Sequence, residues 1–149
     1  MMSTIAGRTR HIQRRSRHRS RRKGARANLK REAERLCALI TKHNARCRFA
    51  GMEVGGKLHV CKGPLQAMHG YPKRAYPAVR YDLRNLWAGC AGAHSYFTYR
   101  GEMWGQFIAD EWGEDLTREM RNLALLNTKL DMAEVVERLR DEAKARGIE

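Results

Sequence analysis

The chain has 149 residues, a formal net charge of +14, and hydrophobic side chains at 42% of its positions. This length and this apolar content allow one modest domain with its own core. No apolar run approaches the roughly 20 residues of a membrane helix. The arginine-rich start lacks the apolar segment of a secretory signal, so we expect a cytoplasmic protein, although such a start also fits a mitochondrial presequence. The 4 cysteines do not show the spacing of a disulfide framework, which favours a reducing compartment and leaves metal binding open.

Most of the positive charge lies near the N-terminus. Residues 1–31 contain 12 Lys or Arg and no acidic residue, whereas the 18 basic and 16 acidic residues of the remaining chain nearly cancel. We expect residues 1–24 to form a disordered arm, because a segment this charged repels itself and can bury nothing. Basic side chains from Arg8 to Arg31 would bind a polyanion, DNA in particular, and the alternative is a solubilising tail.

The first ordered element after the arm is predicted to be a helix over about residues 25–43. Its buried face follows from apolar residues three and four positions apart, and Asn44 fits its C-terminal cap. We expect Cys37 to lie in the core beside this face rather than to bind metal. The residues that define the buried face are Leu29, Ala33, Leu36 and Ile40.

The middle of the chain predicts a short hairpin, a loop and a helix. A strand over residues 57–61 would pair with Leu65–His69, and a loop over residues 71–84 would follow, with basic and aromatic residues. Residues 86–99 would then form a helix. Further helices are expected over residues 101–112, 115–126 and 131–145, with Met103 and Met120 in the core and Asp131 as the last N-cap.

Several residues in this region occur in a characteristic order. His69 ends a strand, Asn85 follows an arginine-rich loop, and His94 lies nine residues beyond Asn85. Cys90-Ala91-Gly92-Ala93-His94 opens the helix, and Cys47 stands four residues before Gly51. This set resembles the HNH nucleases, also called His-Me finger or ββα-metal endonucleases, and above all their small phage-type members.

The resemblance implies an α+β fold with one nuclease-like domain over residues 25–149. Its ββα-metal core, a β-hairpin and a helix, would span about residues 47–99. The predicted helix over 25–43 would precede this core, and a helical part over residues 101–146 would follow it.

The resemblance also implies a metal-dependent DNA endonuclease with weak sequence preference, acting in phage recombination or DNA packaging in the cytoplasm of the host. His69 would be the general base, His94 would bind Mg²⁺ or Mn²⁺, and the Asn85 amide would tie the loop and hold the His69 backbone in place. Basic side chains of the loop would contact phosphate oxygens: Lys73, Arg74, Arg80 and Arg84.

The chain departs from the family pattern beside the first histidine. Many members carry an acidic metal ligand immediately before it, and here that position is Met68, a poor ligand for a hard cation. The ion would then rest on His94, water, the substrate phosphate and either Gln66 or Asp82. Weak binding of the divalent cation follows as an expectation.

A second departure concerns zinc. Ala50 and Ala93 replace the second cysteine of each Cys-x-x-Cys pair, so these positions cannot form a four-cysteine site. The simpler expectation is that packing has replaced the ion. The alternative is a structural zinc site built from Cys47, His59, Cys61 and Cys90.

Two other functions remain open from the sequence. One is a non-catalytic, HNH-derived protein that binds nucleic acid through its arm and loop. The other is a basic assembly protein of a ribosome or virion, which would depend on the arm alone.

Overall fold

A computed structural model describes the backbone of residues 5–148 and the side chains of residues 21–148. Across that part it has 4 α-helices and two 2-stranded antiparallel sheets, which confirms the expected α+β class. None of these helices carries an apolar stretch of the length that a bilayer requires. The elements in chain order are α1 (Ile5–Lys42), β1 (Glu53–Val54), β2 (Lys57–Leu58), β3 (Leu65–His69), β4 (Leu86–Cys90), α2 (Ala91–Thr98), α3 (Gly101–Ala124) and α4 (Met132–Ala145).

The second half of α1 has the buried face that its apolar spacing predicted, and this face packs against α4 and β3. Ala33, Leu36 and Ile40 are buried, and Cys37 is only 4% exposed beside them. This exposure confirms Cys37 as a core residue, and its burial raises the pKa of the thiol to about 12. Asn44 has a φ of 52°, the left-handed conformation of the predicted C-terminal cap.

The first half of α1 differs from the expectation for the arm. The helix begins at Ile5 and not near Ala25, so the backbone is helical through most of residues 1–24. The side chains described there, from Arg21 to Ala25, are exposed. Disorder of this segment in free solution stays a prediction. The side chains of residues 1–20 lie outside the described part.

The central hairpin pairs different strands from those expected. β3 pairs antiparallel with β4, with His69 opposite Leu86, and β2 pairs with β1. The predicted pairing of residues 57–61 with 65–69 is therefore wrong, and the helix predicted over 86–99 begins only at Ala91. Gly89 leaves room for Met68 of β3, because a Cβ at position 89 would clash with the sulfur of Met68. The resulting order of β3, β4 and α2 is a strand–strand–helix unit.

α3 joins the two helices predicted over residues 101–126. Gly113 interrupts it with φ 68° and ψ 178°, a conformation that glycine adopts readily, so the predicted break is present as a kink. Met120 is fully buried as expected, but Met103 is 38% exposed and its predicted core position is wrong. Trp87, Trp104 and Trp112 are half-buried and pack together in pairs.

α4 begins where the sequence predicted. The Asp131 carboxylate accepts hydrogen bonds from the N–H groups of Ala133 and Glu134, which is the N-cap arrangement. Val136 and Leu139 of α4 then pack against the buried face of α1. The helices at the two ends of the chain therefore cover one face of the strand–strand–helix unit.

Candidate active site and metal cluster

The long connection between β3 and β4 is held by one buried amide. Asn85 is 0% exposed and ends a short 3-10 helix, Leu83–Asn85, immediately before β4. Its Oδ1 accepts a hydrogen bond from the Tyr71 N–H at 2.7 Å, and its Nδ2 donates to the carbonyls of Tyr71 and Val79 at 3.2 and 3.1 Å. Because all these partners belong to the loop, the Asn85 side chain sets the loop's shape.

The backbone around His69 is fixed by the same region. The Gly70 N–H donates to the Asn85 carbonyl at 2.9 Å, and Trp104 Nε1 donates to the His69 carbonyl at 3.1 Å. Gly70 allows this closeness, since a Cβ there would lie 2.9 Å from Asn85 Oδ1. Asn85 therefore positions the His69 backbone through a main-chain hydrogen bond to Gly70, the residue after His69.

The His69 ring is half-buried and lines a cleft between α1 and β3. Burial lowers the pKa of His69 below its ordinary value, and the charge of Lys73 lowers it further. A hydrogen bond with the backbone of Arg80 opposes this shift, and the charges of Arg80 and His94 add to it. The ring is thus kept neutral near pH 7, the state in which it can accept a proton.

His94 lies on α2 and contacts the strand that carries His69. Its Nδ1 is 2.6 Å from Oε1 of Gln66, and the carbonyl of His94 accepts from Thr98 Oγ1 at 2.7 Å. An amide oxygen can only accept, so Nδ1 carries a proton, and in the neutral form of the ring Nε2 then has a free lone pair. Histidines that bind metal ions are commonly oriented in this way by an acceptor on the second nitrogen.

Gln66 and Met68, both near these histidines, have different surroundings. Gln66 was expected as an alternative metal ligand, and its Oε1 is instead directed at the His94 ring. Met68 is 2% exposed and packs with Phe49, Cys90 and Phe97. Its thioether is therefore enclosed in the core. Asp82, the other alternative ligand, is held by the backbone and guanidinium of Arg84.

The four basic loop residues fall into two groups. Arg80 pairs with Glu34 of α1, and Arg84 pairs with Asp82 at 2.8 Å and Glu119 at 2.7 Å. Lys73 and Arg74 are exposed and form no ion pair within residues 21–148. Lys73 and Arg74 are thus directly accessible to an anion, whereas Arg80 and Arg84 would have to exchange a carboxylate for it.

The structure brings together the alternative zinc set named from the sequence. The ligand atoms of Cys47, His59, Cys61 and Cys90 all lie within 4.8 Å of one another. His59 Nε2 is 3.9 Å from Cys47 Sγ and 3.3 Å from Cys90 Sγ. Ligands about 2.0–2.3 Å from a tetrahedral ion are separated by such distances, so this cluster can hold a metal ion.

Backbone N–H groups point at two sulfurs of the cluster. The N–H groups of Lys62 and Ala93 donate to Cys90 Sγ at 3.4 Å, and the Cys90 N–H donates to Cys47 Sγ at 3.2 Å. Burial alone would raise the pKa of Cys90, but these N–H groups, together with His59 and Cys47, lower it to about 6. Because Cys90 is also the N-cap of α2, the helix dipole favours its thiolate.

Cys61 shows the effect of sharing a site with other thiolates. Desolvation and the neighbouring Cys47 and Cys90 raise the pKa of its thiol to about 11. Three sulfurs this close repel one another as anions unless a cation lies between them. Three thiolates and one imidazole form a donor set typical of zinc.

Two contacts of the site escaped the sequence analysis. The Glu34–Arg80 pair joins residues 46 positions apart, and the orientation of His94 by Gln66 spans 28. A carboxylate on a predicted helix and an amide on a predicted strand carry no sign of such partners. Only the packing of α1 and α2 around β3 brings them together.

In comparisons with family models, with curated proteins and with solved structures, nothing matches this chain. Fold and site together define an α+β protein with a Cys/His cluster able to hold a metal ion.

Proposed function

We propose that this protein is a metal-dependent DNA endonuclease of the HNH type. The observation that carries the proposal is the arrangement of β3, β4 and α2 around three residues. His69 ends β3 beside a cleft, the buried Asn85 amide ties the intervening loop, and His94 on α2 is oriented by Gln66 of β3. These positions correspond to a base, a structural amide and a metal ligand.

In the proposed hydrolysis of a phosphodiester, the imidazoles of His69 and His94 have different roles. His69 takes a proton from water, the water oxygen bonds to phosphorus, and the bond from phosphorus to the leaving oxygen breaks. A divalent cation such as Mg²⁺ or Mn²⁺, held by Nε2 of His94, would stabilise the charge on the leaving oxygen. Lys73 and Arg74 supply accessible positive charge for the phosphate oxygens.

DNA is the proposed substrate because of the charge of the chain. The 12 basic residues within positions 1–31 provide phosphate contacts that do not depend on base sequence. The exposed basic loop residues Lys73 and Arg74 would add contacts near the site of cleavage. Weak sequence preference follows, since phosphates carry no base identity.

We further infer that the cluster of Cys47, His59, Cys61 and Cys90 binds structural Zn²⁺. It joins the segment after α1, the residues that follow β2 and the start of α2, next to the hydrophobic cluster around Phe49. All four tetrahedral positions are filled by protein atoms, as in structural and not catalytic zinc sites. This ion would differ from the weakly bound cation at His94.

Nicking of supercoiled plasmid in Mg²⁺ or Mn²⁺ tests the nuclease proposal. We expect the wild type to cut, and His69→Ala and His94→Ala each to lose at least about a hundredfold in rate. His43→Ala is the matched control, because His43 is exposed at the end of α1 and should cut normally. Cutting by His69→Ala at the wild-type rate would contradict the assignment of the base.

The enclosure of Met68 favours a second candidate function, a non-catalytic HNH-derived protein that binds nucleic acid. In that case Met68, which stands where many HNH nucleases carry an acidic metal ligand, leaves His94 without enough ligands to hold a catalytic ion. The same assay separates the two functions. Equal DNA binding by the wild type and His69→Ala, with no cutting by either, would support the second.

A further inference from the structure

The cleft beside His69 lies between α1 and the outer edge of β3, and we call it the α1–β3 cleft. Its lining includes Glu34, Lys42, His69, Lys73, Arg80 and Tyr81. A volume of about 280 Å³ places it at the lower limit of pockets for small molecules. One phosphate group suits it better than a large ligand does.

Two residues that line this cleft each carry a buried polar atom without a hydrogen-bond partner. Arg80 Nε and the Tyr81 hydroxyl are buried and have no hydrogen-bond partner among the described residues. Tyr81 as a whole is only 3% exposed, and the Arg80 guanidinium lies 5.4 Å from the centre of its ring. A buried donor without an acceptor is costly, so this pair of donors indicates an anionic group that both can bind.

One carboxylate already contacts the guanidinium of Arg80 at another nitrogen. Glu34 is the sole acidic residue of the lining, and its Oε1 contacts Nη2 of Arg80. The side chains of Arg80 and Glu34 are 23% and 41% exposed, so water screens the pair and its attraction is modest. A phosphate can therefore replace the carboxylate.

We propose that the α1–β3 cleft binds one phosphodiester group of a DNA backbone, and that Glu34 takes its place in the free protein. Binding of DNA then moves Arg80 from Glu34 to the phosphate, and the Tyr81 hydroxyl and Arg80 Nε donate to the same group. The inference rests on the proposed function only for the choice of DNA as ligand. Since His69 lines the same cleft, the bound phosphate lies next to the proposed base.

Equilibrium binding to a short DNA duplex tests this, in buffer without added Mg²⁺ or Mn²⁺ so that no strand is cut. Glu34→Gln should lower Kd about twofold to fivefold relative to Glu32→Gln. Glu32 is the matched control because it also lies on α1 and also pairs with arginines, Arg35 and Arg140. Equal effects of the two substitutions would overturn the proposal.

A double-mutant cycle isolates the contact with Arg80. Arg80→Gln should weaken binding, and in that background Glu34→Gln should have no further effect beyond that of Glu32→Gln. Tyr81→Phe keeps the buried ring and should raise Kd about threefold or more. A Glu34→Gln effect that persists without Arg80, or a Tyr81→Phe variant that binds like the wild type, would count against the cleft.

The result of these binding measurements does not depend on whether the protein cuts DNA. Loss of the Glu34 effect together with normal plasmid nicking would remove the cleft proposal and leave the nuclease. A preserved Glu34 effect without any nicking would keep the cleft as a phosphate site on a protein that only binds DNA. Circular dichroism of each variant shows whether its fold is intact.

Discussion

The Nδ1 atom of His94 lies 2.6 Å from the Oε1 atom of Gln66, so a side chain of α2 is oriented by one of β3. The amide oxygen accepts the ring proton and leaves Nε2 free to bind a cation. Partners of this kind typically contribute about tenfold to a hundredfold in metal affinity. The relationship makes Gln66 a positioning residue for His94.

Gln66→Ala should therefore raise the Mn²⁺ concentration for half-maximal cleavage by about tenfold or more. Gln66→Glu, which keeps an acceptor, should restore most of the affinity. Thr98→Ala is the control, because Thr98 Oγ1 bonds to the His94 backbone and not to its ring. If Gln66→Ala shows the wild-type Mn²⁺ requirement, the orienting role is wrong.

Zinc content tests the cluster independently of any activity. We expect about one Zn²⁺ per chain in the purified protein, by elemental analysis, and its loss in Cys61→Ser and His59→Ala. Removal of the ion by a chelator should lower the melting temperature, because the free energy of metal binding to the folded chain is then lost. Cys37→Ala changes a cysteine outside the cluster and should keep its zinc. A wild type purified without metal would refute the site.

The pH dependence of cleavage should report on His69. Burial and Lys73 lower its pKa, so the neutral base persists below the ordinary value of about 6.5 and activity should fall only at lower pH. Removing a nearby positive charge favours the protonated ring, so Lys73→Gln should move the midpoint upward. Arg74→Gln removes a charge from the same loop that is not among the causes of this shift, and its midpoint should move less. Single-turnover rates of the wild type and both variants between about pH 5 and 8 would measure these midpoints.

Asn85 should contribute strongly to stability. Asn85→Ala removes three hydrogen bonds from a fully buried site and leaves loop carbonyls and the Tyr71 N–H without partners. We expect a loss of about 2–4 kcal/mol in the free energy of unfolding. The matched control, Asn122→Ala, alters an exposed asparagine of α3 and should stay within about 0.5 kcal/mol of the wild type. Urea denaturation of the three proteins measures the difference.

The N-terminal segment should govern the salt dependence of DNA binding. Deleting residues 1–23 removes basic residues without acidic ones, so affinity should fall and its slope against salt concentration should flatten. The rate of cleavage of bound DNA should change little, since His69 and His94 lie outside the deleted segment. A truncated protein with the full-length salt slope would show that the segment does not contact phosphates.

Local patterns in the sequence determined most of the helical framework. The buried face of α1, the Asn44 cap, the break at Gly113 and the Asp131 cap follow from spacing and capping chemistry, which act over a few residues. The pairing of β3 with β4 did not follow, because strand partners depend on contacts across a long loop. The helix predicted over residues 86–99 was also wrong for residues 86–90, which form β4. There Gly89 lies next to Met68 of the neighbouring strand.

For the sites, the sequence by itself named His69, Asn85, His94 and the four members of the metal cluster as candidates. The sequence did not decide whether Cys47 binds zinc or only packs in the core. A tetrahedral site depends on distances between segments that lie 43 residues apart in the chain. Only the tertiary structure brought those four ligands together, directed Gln66 at His94, and set Glu34 against Arg80. Each of these contacts joins separate elements, and packing alone decides which side chains of separate elements meet.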